Sequence, residues 1–139
     1  RDRGVTHVLN ASDVPLPCGP PPEPTAYLQL NAKDEIGYEI RQHCTAAAAF
    51  IRGARDAGGT CLVHCQAGIN RSGFLVVSEF MLSERLPVLE AVQHCKRARG
   101  RILLNRSFQI QLLHLARDNG LLGAAPDGGA ALRQTSTRG

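Results

Sequence analysis

Thr60-Cys61-Leu62-Val63-His64 runs without a break into Cys65-Gln66-Ala67-Gly68-Ile69-Asn70 and then Arg71-Ser72-Gly73-Phe74-Leu75. The first five residues form a short apolar run behind Gly58-Gly59, with the length and make-up of a buried strand in an α/β sheet. From Arg71, apolar residues at Phe74, Leu75, Val77 and Met81, with Ser78 among them, predict a mostly buried helix ending near Arg85. Strand, tight loop and helix in this order set the expected fold class: α/β, one domain, with a central, mostly parallel sheet flanked by helices.

Upstream, Val5-Thr6-His7-Val8-Leu9 and Tyr27-Leu28-Gln29-Leu30 read as two more strands. Six of the eight prolines lie between Pro15 and Pro24, around Cys18-Gly19, which predicts an extended, exposed loop. Ile36, Ile40, Cys44, Ala47, Phe50, Ile51 and Ala54 recur at spacings of three and four, predicting an amphipathic helix over 36–57 stopped by the two glycines. Downstream, Pro87 suits the first turn of a helix carrying Val88, Ala91, Val92 and Cys95 on one face and stopping at Gly100. Asn105 is the expected N-cap of a last helix with Phe108, Ile110, Leu112, Leu113 and Leu115, closed by Asn119-Gly120. The folded domain is thus expected over 1–122, with a flexible Gly/Ala/Ser/Thr tail over 123–139.

With 139 residues, 43% of them hydrophobic, the chain can bury a core without disulfides or structural metal. No apolar stretch approaches the roughly 18 to 20 residues of a membrane span, and no signal-type hydrophobic region follows Arg1-Asp2-Arg3-Gly4. The five cysteines are odd in number and lack Cys-x-x-Cys spacing, which points to reduced thiols in a cytoplasmic or nuclear setting. A net charge of +4 suits anionic ligands but does not by itself imply nucleic acid.

Between the buried strand and the helix, the residues suit anion chemistry. Backbone N–H groups of a curled loop and of a helix N-terminus converge on a negative group, and Gly68 permits a curl that a side chain would obstruct. The same field favours the thiolate of Cys65. Arg71 presents a planar fork able to hold two phosphate oxygens, which lysine cannot do.

These residues resemble the signature of the cysteine-dependent protein tyrosine phosphatases: His-Cys, five residues, then Arg-Ser/Thr. Within that family the chain is most similar to the small dual-specificity phosphatases. Val5 to Asn10, Phe50-Ile51, Gly58 to Cys65, and Arg99, Ile102, Asn105, Phe108 and Gln111-Leu112 extend the likeness over about positions 4 to 120. The resemblance implies that Cys65 attacks phosphorus to form a cysteinyl-phosphate, that Arg71 and the loop Gln66, Ala67, Gly68, Ile69 and Asn70 hold the phosphate, and that Ser72 helps the sulfur leave. Asp34, lying 31 positions before Cys65, matches the family's general acid. His64 is expected to shape the loop through a hydrogen bond, and Asn105 to brace it while capping its helix. The expected substrate is a phosphorylated protein, acted on by a monomer without metal or cofactor, without a membrane and without nucleic acid.

Other readings stand beside these. Asp34 also occupies an N-cap position, with Glu35 and Asp13 as alternative acids. Lys96, Arg97, Arg99, Arg101 and Arg106 read as cations favoured at a helix C-terminus, or as a docking surface. A phosphoinositide or RNA 5′-phosphatase of the same fold, or a module that only binds phosphoproteins, are the alternatives in function. The chain departs from the family pattern at Asn70, where serine is common, at Leu104, where proline often precedes the asparagine, and at Phe80, where tyrosine is frequent. A strand usual before Val5 is expected to be missing.

Overall fold

The computed structural model describes residues 4–123, so the tail beyond Gly123 lies outside the described residues. Three strands form one sheet: β1 (Val5–Ser12), β2 (Ala26–Ala32) and β3 (Thr60–His64), in the order β2-β1-β3. All pairings are parallel, with Leu9 of the central strand opposite Leu28 on one side and Val63 on the other. The second edge of β3 is unpaired among the described residues. Four helices follow the predicted order: α1 (Cys44–Asp56), α2 (Arg71–Glu84), α3 (Val88–Arg99) and α4 (Arg106–Asp118).

The helix read from the strongest apolar run is the centre of the molecule. α2 packs against the other three helices and against β1 and β3. Phe74, Leu75, Val77 and Met81 of α2 are buried with Leu9 and Ala11 of β1, Val88 and Ala91 of α3, and Phe108 and Leu112 of α4. Phe74 and Phe108 meet edge to face with ring centroids 6.1 Å apart, and both are fully buried. Full burial of side chains of this kind contributes about 1.5–3 kcal/mol each. The proline-rich segment is largely exposed, as expected. No helix is long and apolar enough to cross a membrane among the described residues.

Two elements differ from their predictions. β3, expected to be a buried strand, is an edge strand with Thr60 and Leu62 exposed, because the core packs only against its Cys61 and Val63 side. The helix expected over 36–57 begins only at Cys44, after a 3-10 turn at Ile40–His43, and Ile36 is 74% exposed. The reason lies in α4, which takes the backbone groups a helix would have used. Gly37 N–H donates to Ser107 Oγ, Gln111 Nε2 donates to the Tyr38 carbonyl, and Arg41 N–H donates to Gln111 Oε1. Gly37 itself has φ +91°, outside the helical region. The segment carrying Asp34 is therefore a loop fastened to α4.

Candidate active site

β3 ends at His64, so Cys65 lies at the carboxyl edge of a parallel sheet, where open α/β sheets bind ligands. The loop from Cys65 to Asn70 turns through Gly68, with φ +68°, and is pinned from behind by Leu103 N–H donating to the Ile69 carbonyl at 2.8 Å. It delivers the chain to the first turn of α2. There Ser72 N–H donates to Cys65 Sγ at 3.4 Å, and Ser72 Oγ lies 3.3 Å from the same sulfur.

Cys65 is buried, and burial alone pushes its thiol pKa up. The Ser72 hydroxyl, the N–H groups of Ser72 and Gly68, and the Arg71 charge outweigh that push, so the net shift is downward. Burial prevails at Cys44, Cys61 and Cys95, raising all three, Cys61 to about 11. Arg99 Nη2 donates to Ser72 Oγ at 3.3 Å, which occupies a lone pair of the hydroxyl and leaves its proton to face the sulfur.

Arg71 is 6% exposed. Its Nη1 donates to the Ala32 carbonyl at 2.9 Å and to Asp13 Oδ1 at 3.2 Å. Its Nε is buried with no hydrogen-bond partner among the described residues. One side of the guanidinium is thus anchored on β2 and the β1 end, while Nε remains a donor for an acceptor supplied from outside.

Of the three candidate acids, Asp13 is held below the usual carboxylate range chiefly by its own backbone hydrogen bond, which with Lys33 and Arg71 outweighs the opposing effect of burial. Its carboxylate anchors Arg71 and also pairs with Lys33. Glu35 joins the network only through its carbonyl, which accepts from Asn105 Nδ2. Asp34 is tied directly to the phosphate-loop side: Oδ2 accepts from Asn70 Nδ2 at 2.9 Å and Oδ1 from Asn105 Nδ2 at 3.0 Å. The alternative of Asp34 as an N-cap is not what the chain adopts, since no helix starts there.

Asn105 caps α4 as expected, its Oδ1 accepting from Ser107 N–H and Phe108 N–H. Its Nδ2 braces the Asp34 segment and not the phosphate loop, which Asn105 meets through its backbone N–H donating to Asn70 Oδ1. His64 departs from expectation. Burial lowers its pKa, which favours the neutral ring, and it makes no side-chain hydrogen bond among the described residues. A five-residue strand next to the loop already fixes the position of Cys65 through β1 pairing, so no imidazole bond is needed. Gln66 and Ala67 are exposed, leaving their N–H groups as what they bring to the loop.

A sequence profile described as "Dual specificity phosphatase, catalytic domain" matches residues 1–118. The chain belongs to this family. The bovine (Bos taurus) dual specificity protein phosphatase 26 is 41% identical to this dual specificity phosphatase domain over 121 residues, covering 84% of the chain and 57% of the relative. The chain thus spans little more than half the length of that relative. The crystal structure of human DUSP28 superposes with a TM-score of 0.77 at 28% identity, covering 84% of this chain and 78% of that one. The human tyrosine phosphatase-like serine/threonine/tyrosine-interacting protein superposes with a TM-score of 0.74 at 26% identity, covering 84% and 79%.

Two contributors to the dual specificity phosphatase site were not legible as such in the sequence. Arg99 reads there as a helix-terminal cation, and Asp13 only as a spare acid. Their partners lie 27 and 58 positions away, and no local pattern encodes such pairings. The Arg99 match to the family's C-terminal pattern was the one available signal.

Proposed function

We propose that this domain hydrolyses phosphotyrosine and phosphoserine or phosphothreonine in proteins through a Cys65 phosphoenzyme. The observation that carries the reading is a buried cysteine whose sulfur meets the Ser72 hydroxyl and N–H, beside a buried arginine whose Nε has no acceptor among the described residues. In the first step the Cys65 thiolate attacks phosphorus, an S–P bond forms, the ester P–O bond breaks, and Asp34 gives the departing oxygen its proton. Arg71 Nε and the loop N–H groups hold the equatorial oxygens as charge spreads over them. In the second step Asp34 takes a proton from water as it attacks phosphorus. The S–P bond breaks, and the Ser72 hydroxyl stabilises the returning thiolate.

The five free cysteines support a reducing cytoplasmic or nuclear setting, and the reading takes the enzyme as a monomer without metal, membrane or nucleic acid. Cys65→Ser is expected to abolish turnover of an aryl phosphate, and wild-type turnover by that variant would sink the mechanism. A panel of phosphopeptides, an inositol phosphate lipid and a 5′-triphosphate RNA tests the substrate class, with the phosphopeptides expected to be preferred.

A further inference from the structure

Asn70 stands at the N-cap of α2, where an asparagine ordinarily folds its side chain back onto the N–H groups of its own helix. Here it makes no such bond. Its Oδ1 instead accepts from Leu104 N–H at 2.7 Å and from Asn105 N–H at 2.9 Å. Only the oxygen of an amide can accept, so these two donors fix which way the group is turned and direct Nδ2 outward. That nitrogen donates to Asp34 Oδ2 at 2.9 Å. Asn105 Nδ2 completes the arrangement by donating to the other carboxylate oxygen, Oδ1, at 3.0 Å.

The geometry points to Asn70 as a positioning residue that locks the Asp34 carboxyl against the phosphate loop, through an amide held in orientation by the α3–α4 connection. The two departures from the family pattern then account for each other. A proline at position 104 would have no N–H to offer, and a serine at position 70 has a single short hydroxyl in place of the separate amide oxygen and nitrogen that here reach the connection on one side and Asp34 on the other. Because the side chain is drawn away from α2, the N–H groups of that helix's first turn are left to Cys65 and to an anion. Asn70 follows the loop and precedes Arg71, so the same residue couples the place where phosphate sits to the place from which the proton comes.

The inference rests on the reading of Asp34 as general acid, and the experiment separates the two. Values of kcat/KM for Asn70→Ala, Asp34→Ala and the double variant are measured on phenyl phosphate, whose leaving group needs a proton, and on para-nitrophenyl phosphate, whose leaving group needs it far less. Asn70→Ala is expected to lower kcat/KM about tenfold on phenyl phosphate and no more than about twofold on para-nitrophenyl phosphate, and to change neither in the Asp34→Ala background. Asn70→Asp keeps the acceptor for the two backbone N–H groups and loses the donor. It is expected to show the same skew when each protein is compared at its own pH optimum, because a second carboxylate beside Asp34 favours the protonated acid and moves the optimum upward. It also supplies the answer should Asn70→Ala not fold. Equal losses on the two substrates, or losses that add in the Asp34→Ala background, overturn the assignment of Asn70. If Asp34→Ala itself leaves the substrate ratio unchanged, the general-acid reading fails and the Asn70 assignment falls with it.

Discussion

Burial raises a thiol's pKa, and Cys44, Cys61 and Cys95 follow that rule while Cys65 runs against it. The difference lies in how many groups face the sulfur: Ser72 offers both its hydroxyl and its N–H, and the Gly68 N–H and the Arg71 charge add to them. Because the folded pKa is depressed, the native state favours the thiolate. The stability from this group is complete above the pKa of the unfolded thiol and is lost as pH falls through the lower folded value. Ser72→Ala keeps the N–H and removes the hydroxyl. The midpoint of Cys65 alkylation by iodoacetamide against pH is expected to move upward, and the rate at neutral pH to fall by about threefold to tenfold. An unmoved midpoint would assign the lowering to the backbone and Arg71 alone. Arg71→Lys tests the next position: without the fork that joins Ala32 and Asp13 on one side to Nε on the other, kcat/KM is expected to fall by about 100-fold or more.

At the level of elements, the sequence was most legible where a pattern is local. β3, the loop and α2 lie where they were read, because a short apolar run, a glycine and a buried helix are each encoded within a few residues, whereas the exposure of Leu62 in β3 depends on which faces the rest of the chain covers. Asn105 is legible as a cap for the same reason, its bonds to Ser107 and Phe108 being near in sequence. The segment 36–43 was misread because its spacing of apolar residues is genuinely helical, whereas its backbone is claimed by side chains about 70 positions away. Gln111 makes two of those bonds, and its loss should show how much the Asp34 loop depends on α4. Gln111→Ala leaves the Tyr38 carbonyl and the Arg41 N–H without their partner. It is expected to cost about 1–3 kcal/mol in urea unfolding and to speed amide hydrogen exchange of Arg41. Exchange unchanged at Arg41 would mean that the loop holds without α4.

For the whole molecule, catalysis and folding share one element. α2 carries one of the two fully buried phenylalanines of the core, Phe74, within a turn of the N–H groups and guanidinium that face Cys65. Phe74→Ala is therefore expected to cost about 3–5 kcal/mol, a large part of the roughly 5–15 kcal/mol that holds a domain folded, measured as a lower urea midpoint. The coupling also runs from site to fold. A buried donor without an acceptor opposes folding, and an oxyanion bound at Arg71 Nε relieves that cost only in the native state. Inorganic phosphate at about 100 times its dissociation constant should add about 2.7 kcal/mol to stability, seen as a rise in Tm that grows with the logarithm of concentration. Arg71→Met removes the donor. It also removes one of the two cations paired with Asp13, so its starting Tm will differ, but the phosphate-dependent rise is expected to vanish. A rise of equal size in both proteins would place the anion elsewhere on this basic chain and detach the buried guanidinium from phosphate binding.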